Sequence, residues 1–174
     1  MNEVVHPDGF KWKNISAGGN YSLAIDENGE IWTWGVNENG QLGNGTKTFS
    51  NAYNYIPNKI VLPLENSNTK FKNISAGDVP LALDENNNLR GWSYIPFNCT
   101  QHSYRLYESP EQFIPIKLPM FQDNKKIVSI ASGSASTAPL IMDEDGNVWS
   151  WGYANYLDNN WHGEEPRIIQ LINY

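Results

Sequence analysis

The sequence predicts an all-β fold, a partial β-propeller of three four-stranded blades that stays open unless oligomerisation or a partner completes it. Three observations predict this. A unit of three blocks occurs three times, each block has the length and residue types of a short strand, and most tryptophans fall at matching places in the units. Self-similarity at a fixed period is the signature of a repeat architecture. Short strands with turn signals and almost no helical periodicity describe propeller blades.

The first block is Ile15-Ser16-Ala17-Gly18, which recurs as Ile74-Ser75-Ala76-Gly77 and more loosely as Ile130-Ala131-Ser132-Gly133. It supplies one strand. The second block runs Leu23 to Gly35, then Leu81 to Ser93, then Leu140 to Gly152. In its first copy two runs of β-formers, Leu23-Ala24-Ile25 and Ile31-Trp32-Thr33-Trp34, flank Asp26-Glu27-Asn28-Gly29. Asn and Gly accept positive φ, so this block predicts a hairpin. The third block is Ile56-Pro57-Asn58-Lys59-Ile60, then Ile114 to Leu118, then Glu165 to Ile169. A proline at the start of that strand suits an edge, where a missing N–H costs little. The divisions are a leader at 1–9 and repeats at 10–66, 67–122 and 123–174.

Alternation along strands then places the tryptophans. Trp32 and Trp34 share one strand face, Trp149 and Trp151 share another, and Trp92 corresponds to Trp34. With Gly35 and Gly152, these residues are expected to be the structural signature of the blades. Packing between neighbouring sheets is the favoured reading over ligand stacking.

Residues Ser16 to Gly45 resemble one repeat of the regulator of chromosome condensation family. That repeat runs A-G-x-x-H-S-L-A-L, D-G, W-G-x-N, G-Q-L-G-x-G, and here the last two motifs are Trp34-Gly35-Val36-Asn37 and Gly40 to Gly45. The resemblance implies a β-propeller that acts as an interaction platform, with nucleotide exchange on small GTPases as an activity known in the family. There are departures. Tyr21 stands at the family histidine, Arg90 replaces the outer tryptophan of the second unit, and Gly40 to Gly45 has no second or third copy.

Two rebuilt loops follow from those departures, after Trp92 and after Gly152. They hold Tyr94, Phe97, Tyr104, Arg105, Tyr107, Tyr153, Tyr156, Trp161 and His162. Corresponding loops of successive blades emerge on one face, and Tyr, Trp, His and Arg on loops are the composition of a protein-recognition surface. These nine residues are the candidate partner contacts.

Composition narrows the function. The 174 residues include 40% hydrophobic and 13% aromatic residues, enough to fold rather than remain disordered. The net charge of −7, of which −4 falls in 123–174, argues against nucleic acid or an anionic membrane as partner. The single cysteine, Cys99, excludes a disulfide within the chain and a cysteine-based zinc site. No apolar run reaches membrane-spanning length, and the first residues lack the apolar stretch of a signal peptide, so the cytoplasm is the expected compartment. His6, His102 and His162 lack local metal-ligand spacing. Cys99 and His102 read as a loop thiol beside a loop imidazole rather than a nucleophile and base. Asp26 to Gly29 and Asp143 to Gly146 read as turns, because the downstream glutamate of a calcium loop is missing. The expectation is therefore no catalytic residue, no cofactor and no metal.

Three blades cannot close a ring, since closure takes roughly four to eight. Open blade faces mark interfaces, so a homo-oligomer or a place in a larger assembly is expected, the remaining alternative being a fragment of a longer propeller. The sequence is read as a non-catalytic protein-interaction scaffold. A guanine nucleotide exchange factor and a carbohydrate-binding propeller are the alternatives.

Overall fold

The computed structural model describes residues 3–48, 53–93, 125–133 and 139–150, and the backbone of 116–117, 151–153 and 162–168. Three four-stranded antiparallel sheets follow one another along the chain. The first holds β1 (Trp12–Ala17), β2 (Tyr21–Asp26), β3 (Ile31–Gly35) and β4 (Asn54–Lys59) in that spatial order. The second holds β5 (Phe71–Ser75), β6 (Leu81–Asp84), β7 (Leu89–Gly91) and β8 (Ile116–Lys117). The third holds β9 (Ile127–Ala131), β10 (Leu140–Asp143), β11 (Val148–Tyr153) and β12 (His162–Ile168). One turn of 3₁₀ helix, Leu64–Asn66, leads from the first sheet to the second. The fold is all-β and forms part of a propeller. Among the described residues no helix is long and apolar enough to cross a membrane.

Each β2–β3-type hairpin closes through a residue with positive φ: Gly29 at 76°, Asn87 at 64° and Gly146 at 83°. Asparagine tolerates that conformation better than other non-glycine residues, so the second hairpin keeps its turn without a glycine.

The prolines fall deeper in their strands than the sequence suggests. Pro57 is the fourth residue of β4 and Pro166 the fifth of β12. Both strands are edges, and in both the register shifts beside the proline. Thr33 pairs with Asn58 and Gly35 with Asn54, while Ser150 pairs with Arg167 and Gly152 with Gly163. An edge strand with a register break can hold a residue that donates no ladder hydrogen bond.

Two apolar layers lie between the sheets. Tyr21, Leu23, Ile25, Ile31, Leu42 and Ile60 of the first blade pack with Phe71, Ile74, Ala76, Ala82 and Trp92 of the second. Leu81, Leu83 and Leu89 pack with Ile127, Ile130 and Ile141 of the third, with Val79 and Trp149 against them. The core is therefore two junctions rather than one centre.

Gly35 closes the end of β3 where Asn20 and Tyr21 cross it. Its φ is 113°, and a Cβ there would lie 2.5 Å from the Asn20 carbonyl oxygen. Gly19 meets nothing within 4 Å. Gly35→Ala should lower stability by about 2 kcal/mol or more, from backbone strain plus the clash. Gly19→Ala should change it little. Urea unfolding of the two variants checks this.

Candidate interaction surface

The functional surface is built from the blade junctions outward, beginning with the hairpins. Asp26, Asp84 and Asp143 end β2, β6 and β10 and are all buried. Each Oδ1 accepts backbone N–H groups of its own turn: Asn28 and Glu30 for Asp26, Asn88 for Asp84, Asp145 and Asn147 for Asp143. Each Oδ2 accepts a donor six residues on. Trp32 and Trp149 give their indole N–H, both at 2.9 Å. In the second blade Arg90 takes that place, with Nε and Nη2 each 3.3 Å from Asp84. Asn66 Oδ1 accepts a further bond from Arg90 Nη2.

These bonds set the charge state of two of the turns. Burial pushes the Asp143 carboxyl up, but the Trp149 indole, the Asn147 amide and the turn N–H groups outweigh it and hold it down at about 2. Burial likewise raises Asp26, while donors from Glu30, Trp32, Asn28 and His6 bring it below the ordinary carboxylate range. A carboxylate saturated by N–H donors is a turn lock. Among the described residues no cluster of three or more His, Cys, Asp or Glu could hold a metal ion.

His6 completes the first lock. Its Nδ1 accepts the Asp8 N–H at 3.0 Å, which leaves the proton on Nε2, 3.3 Å from Asp26 Oδ2. Its ring lies 4.4 Å from that of Trp12 and 4.3 Å from that of Trp32, with Phe10 at 5.5 Å. The chain ahead of β1 is thereby fastened to the face of the first blade that carries Trp32 and Trp34.

Adjacent blades are joined by polar contacts at equivalent places. Ser16 Oγ accepts the Ala76 N–H at 2.9 Å, and Ser75 Oγ accepts the Ser132 N–H at 2.7 Å. Tyr21 donates its hydroxyl to the Gly77 carbonyl at 2.7 Å, and burial raises its pKa so that it stays a neutral donor. At the rim, Glu30 sits between Lys59 at 2.7 Å and Lys70 at 2.9 Å.

The loop between β3 and β4 rests on the first junction. Asn37 is buried and holds it from inside, accepting the Leu42 N–H and donating to the Thr46 carbonyl. From the second blade, Trp92 donates its indole N–H to the Gln41 carbonyl and Ser93 its hydroxyl to the Asn39 carbonyl, both at 2.9 Å. Gly43, at φ 59°, lies where a Cβ would come 2.9 Å from the Trp92 indole nitrogen. Ser93, the last described residue before the segment 94–115, is thus held against this loop.

The expected contacts divide accordingly. Tyr94, Phe97, Tyr104, Arg105, Tyr107, Tyr156 and Trp161 lie outside the described residues. Tyr153 and His162, expected on a loop, instead end β11 and begin β12 as a cross-strand pair, because the sheet runs further than the Trp-Gly motif indicates. Of the repeat signature, Trp32 and Trp92 are buried, while Trp34 is partly exposed against Trp12. Trp149 lies partly buried against the second junction, Gly35 and Gly152 pair with Asn54 and Gly163, and Trp151 is part of β11. Sequence reasoning missed the aspartate locks, although an Asp with Trp or Arg six residues later in all three units is a readable signal. It also missed the exposed stacked pair Tyr53 and Tyr55, 6.0 Å apart at the start of β4.

Three successive four-stranded sheets, joined at equivalent serines, define this chain as a segment of a β-propeller. Models of the regulator of chromosome condensation (RCC1) repeat match residues 28–79 and 12–41. Residues 12–79 thus match the RCC1 repeat. Its relatives include the E3 ubiquitin-protein ligase HERC2 of Homo sapiens, 27% identical over 143 residues that make up 82% of this chain and 3% of that protein. The guanine nucleotide exchange factor SRM1 of Saccharomyces cerevisiae is 26% identical, over 87% of this chain and 36% of that one. Among solved structures, human WBSCR16 superposes with a TM-score of 0.72 at 21% identity, covering 91% of this chain and 38% of that one. Prp20p from Saccharomyces cerevisiae gives 0.71 at 23%, covering 92% and 38%. The chain thus spans well under half the length of these proteins.

Two outcomes test the locks. Arg90→Leu leaves the Asp84 carboxylate buried without its cation and should cost about 3 kcal/mol; Arg90→Trp restores the donor found in the other blades and should cost less, both read from chemical unfolding. The depressed Asp26 and Asp143 contribute stability that is complete above the ordinary aspartate pKa of 3.8 and is lost as pH falls, toward about 2 for Asp143. Urea midpoints should therefore decline below that value, and Asp143→Asn should flatten the decline.

Proposed function

We propose that the chain is a non-catalytic protein-interaction segment whose β3–β4-type loops form the contact face. The observation that supports this most is the anchoring of the Asn37–Thr48 loop to Trp92 and Ser93. It makes a fixed platform beside the departure of the Tyr- and Arg-rich loop that follows. Rigid support under aromatic loop residues is how contact surfaces keep their ordering cost low. The net charge of −7 favours a protein over a nucleic acid as partner, and the lone Cys99 suits the cytoplasm. The reported binding of Prp20p to Gsp1p and histones, and the structure of Kap60 bound to yeast RCC1, are properties of those proteins that accord with this role.

Exchange on a small GTPase is the second reading, favoured by the likeness to SRM1. Partner capture by the immobilised chain should be lost on joint substitution of Tyr104, Arg105, Tyr156 and Trp161 by alanine, with the circular dichroism spectrum unchanged. Retained capture would remove the loop face from the account. Accelerated nucleotide release from a member of a GTPase panel would favour the second reading.

A further inference from the structure

Three Asn-Gly pairs lie in the first unit: Asn28-Gly29, Asn39-Gly40 and Asn44-Gly45. A glycine after asparagine opens the way for the backbone nitrogen to attack the side-chain amide, since no Cβ hinders the close approach. The fold treats the three glycine nitrogens differently. Gly29 N–H donates to the Asp26 carbonyl at 3.0 Å, and the Gly29 carbonyl accepts from the Phe71 N–H at 2.8 Å. Gly40 N–H reaches the Asn37 carbonyl at 3.3 Å, and the Gly40 carbonyl accepts from the Gly43 N–H at 3.1 Å. Both glycines are buried. Gly45 is half-buried, and among the described residues no acceptor meets its N–H. The asparagine side chains differ as well. Asn44 Oδ1 collects three donors: the Thr46 hydroxyl at 2.7 Å, the Thr46 N–H at 3.1 Å and Asn37 Nδ2 at 3.3 Å. Asn28 and Asn39 are exposed, and among the described residues no donor meets either side-chain oxygen.

We propose that Asn44-Gly45 is a self-modification site, at which the folded loop promotes deamidation of Asn44. Donors that converge on a carbonyl oxygen polarise its carbon and stabilise the negative charge that develops there when a nucleophile adds. The bond from the Thr46 N–H also folds the Asn44 side chain over Gly45, the residue that carries the nucleophile. That nucleophile is the Gly45 backbone nitrogen, after it gives its proton to hydroxide from solvent. It bonds to Asn44 Cγ, the Cγ–Nδ2 bond breaks, and Nδ2 leaves as ammonia with a proton taken from water. Water then opens the cyclic imide on either side of its nitrogen. One opening leaves aspartate, the other isoaspartate, in which the main chain is a methylene longer. Nothing is oxidised or reduced. Either product adds a carboxylate to the loop that Trp92 and Ser93 hold. This chemistry requires no partner and is independent of the contact face.

Peptide mass spectrometry of the folded 174-residue chain tests this. The protein is incubated at mildly alkaline pH and digested at acid pH, and the amide-to-acid mass increase is read at each asparagine. Asn44 should convert several-fold faster than Asn28 and Asn39, and the three rates should converge in urea that unfolds the chain. Thr46→Val removes the hydroxyl donor and keeps the side-chain shape. Loss of one such donor from a sealed enzyme site costs a hundredfold or more, so at this half-exposed loop the Asn44 rate should fall by about tenfold. Thr46→Ser should recover the wild-type rate. Thr46 is exposed, so neither substitution disturbs a blade. Asn28 or Asn39 converting at least as fast as Asn44 in the folded chain would overturn the proposal. So would a lead of Asn44 that persists in urea, an undiminished rate in Thr46→Val, or Thr46→Ser as slow as Thr46→Val.

Discussion

Every blade in this chain is apolar on both faces, and that constraint governs the rest. A small four-stranded sheet with one solvated face can fold against a single core. Here Leu23 and Ile25 point to one neighbour while the opposite face of the same sheet carries Ile15, Trp32 and Trp34. No blade buries itself, so stability resides in the junctions, as in other repeat proteins where each unit needs its neighbours. The polar contacts obey the same logic. Ser16 and Ser75 satisfy backbone N–H groups of the next blade, and Tyr21 reaches across to a carbonyl.

Within each blade, a buried carboxylate fixes the hairpin that presents those faces. The donor opposite it changes from tryptophan to arginine and back while the Oδ2 contact persists. Position six of the hairpin is thus defined by what it donates rather than by its residue type. The arginine brings a full charge into a buried site, where Asp84 and Asn66 compensate it. The His6 ring does comparable work for Asp26 from a segment outside the sheet.

Much of this was legible in the sequence. The strand blocks, the order of the three units and the asparagine and glycine turns follow from residue types and spacing alone. The role of Tyr21 was not, because a hydroxyl that crosses between sheets leaves no periodic trace. The same holds for the serines of the first block, whose repetition was visible but whose direction toward the next blade was not. Pro57 and Pro166 were placed too near the strand starts, since a register break that admits a mid-strand proline depends on the partner strand. Tyr153 and His162 read as loop residues from the sequence for a related reason: pairing across an edge strand outlasts the motif that announces it. Asp26 and Asp143 read as turn residues from the sequence, but their burial as acceptors for a donor six residues on does not.

The central claim is that the junctions hold the blades as cooperative neighbours through serine hydroxyls and apolar contacts. Native-state hydrogen exchange at the Ala76 and Ser132 amides tests it most directly, because both lie outside the strand ladders and depend on the adjoining blade for protection. The account predicts that these two amides exchange as slowly as the central-strand amides of Leu23 and Leu81. Exchange at the rate of exposed loop amides, with the strands themselves still protected, would contradict it.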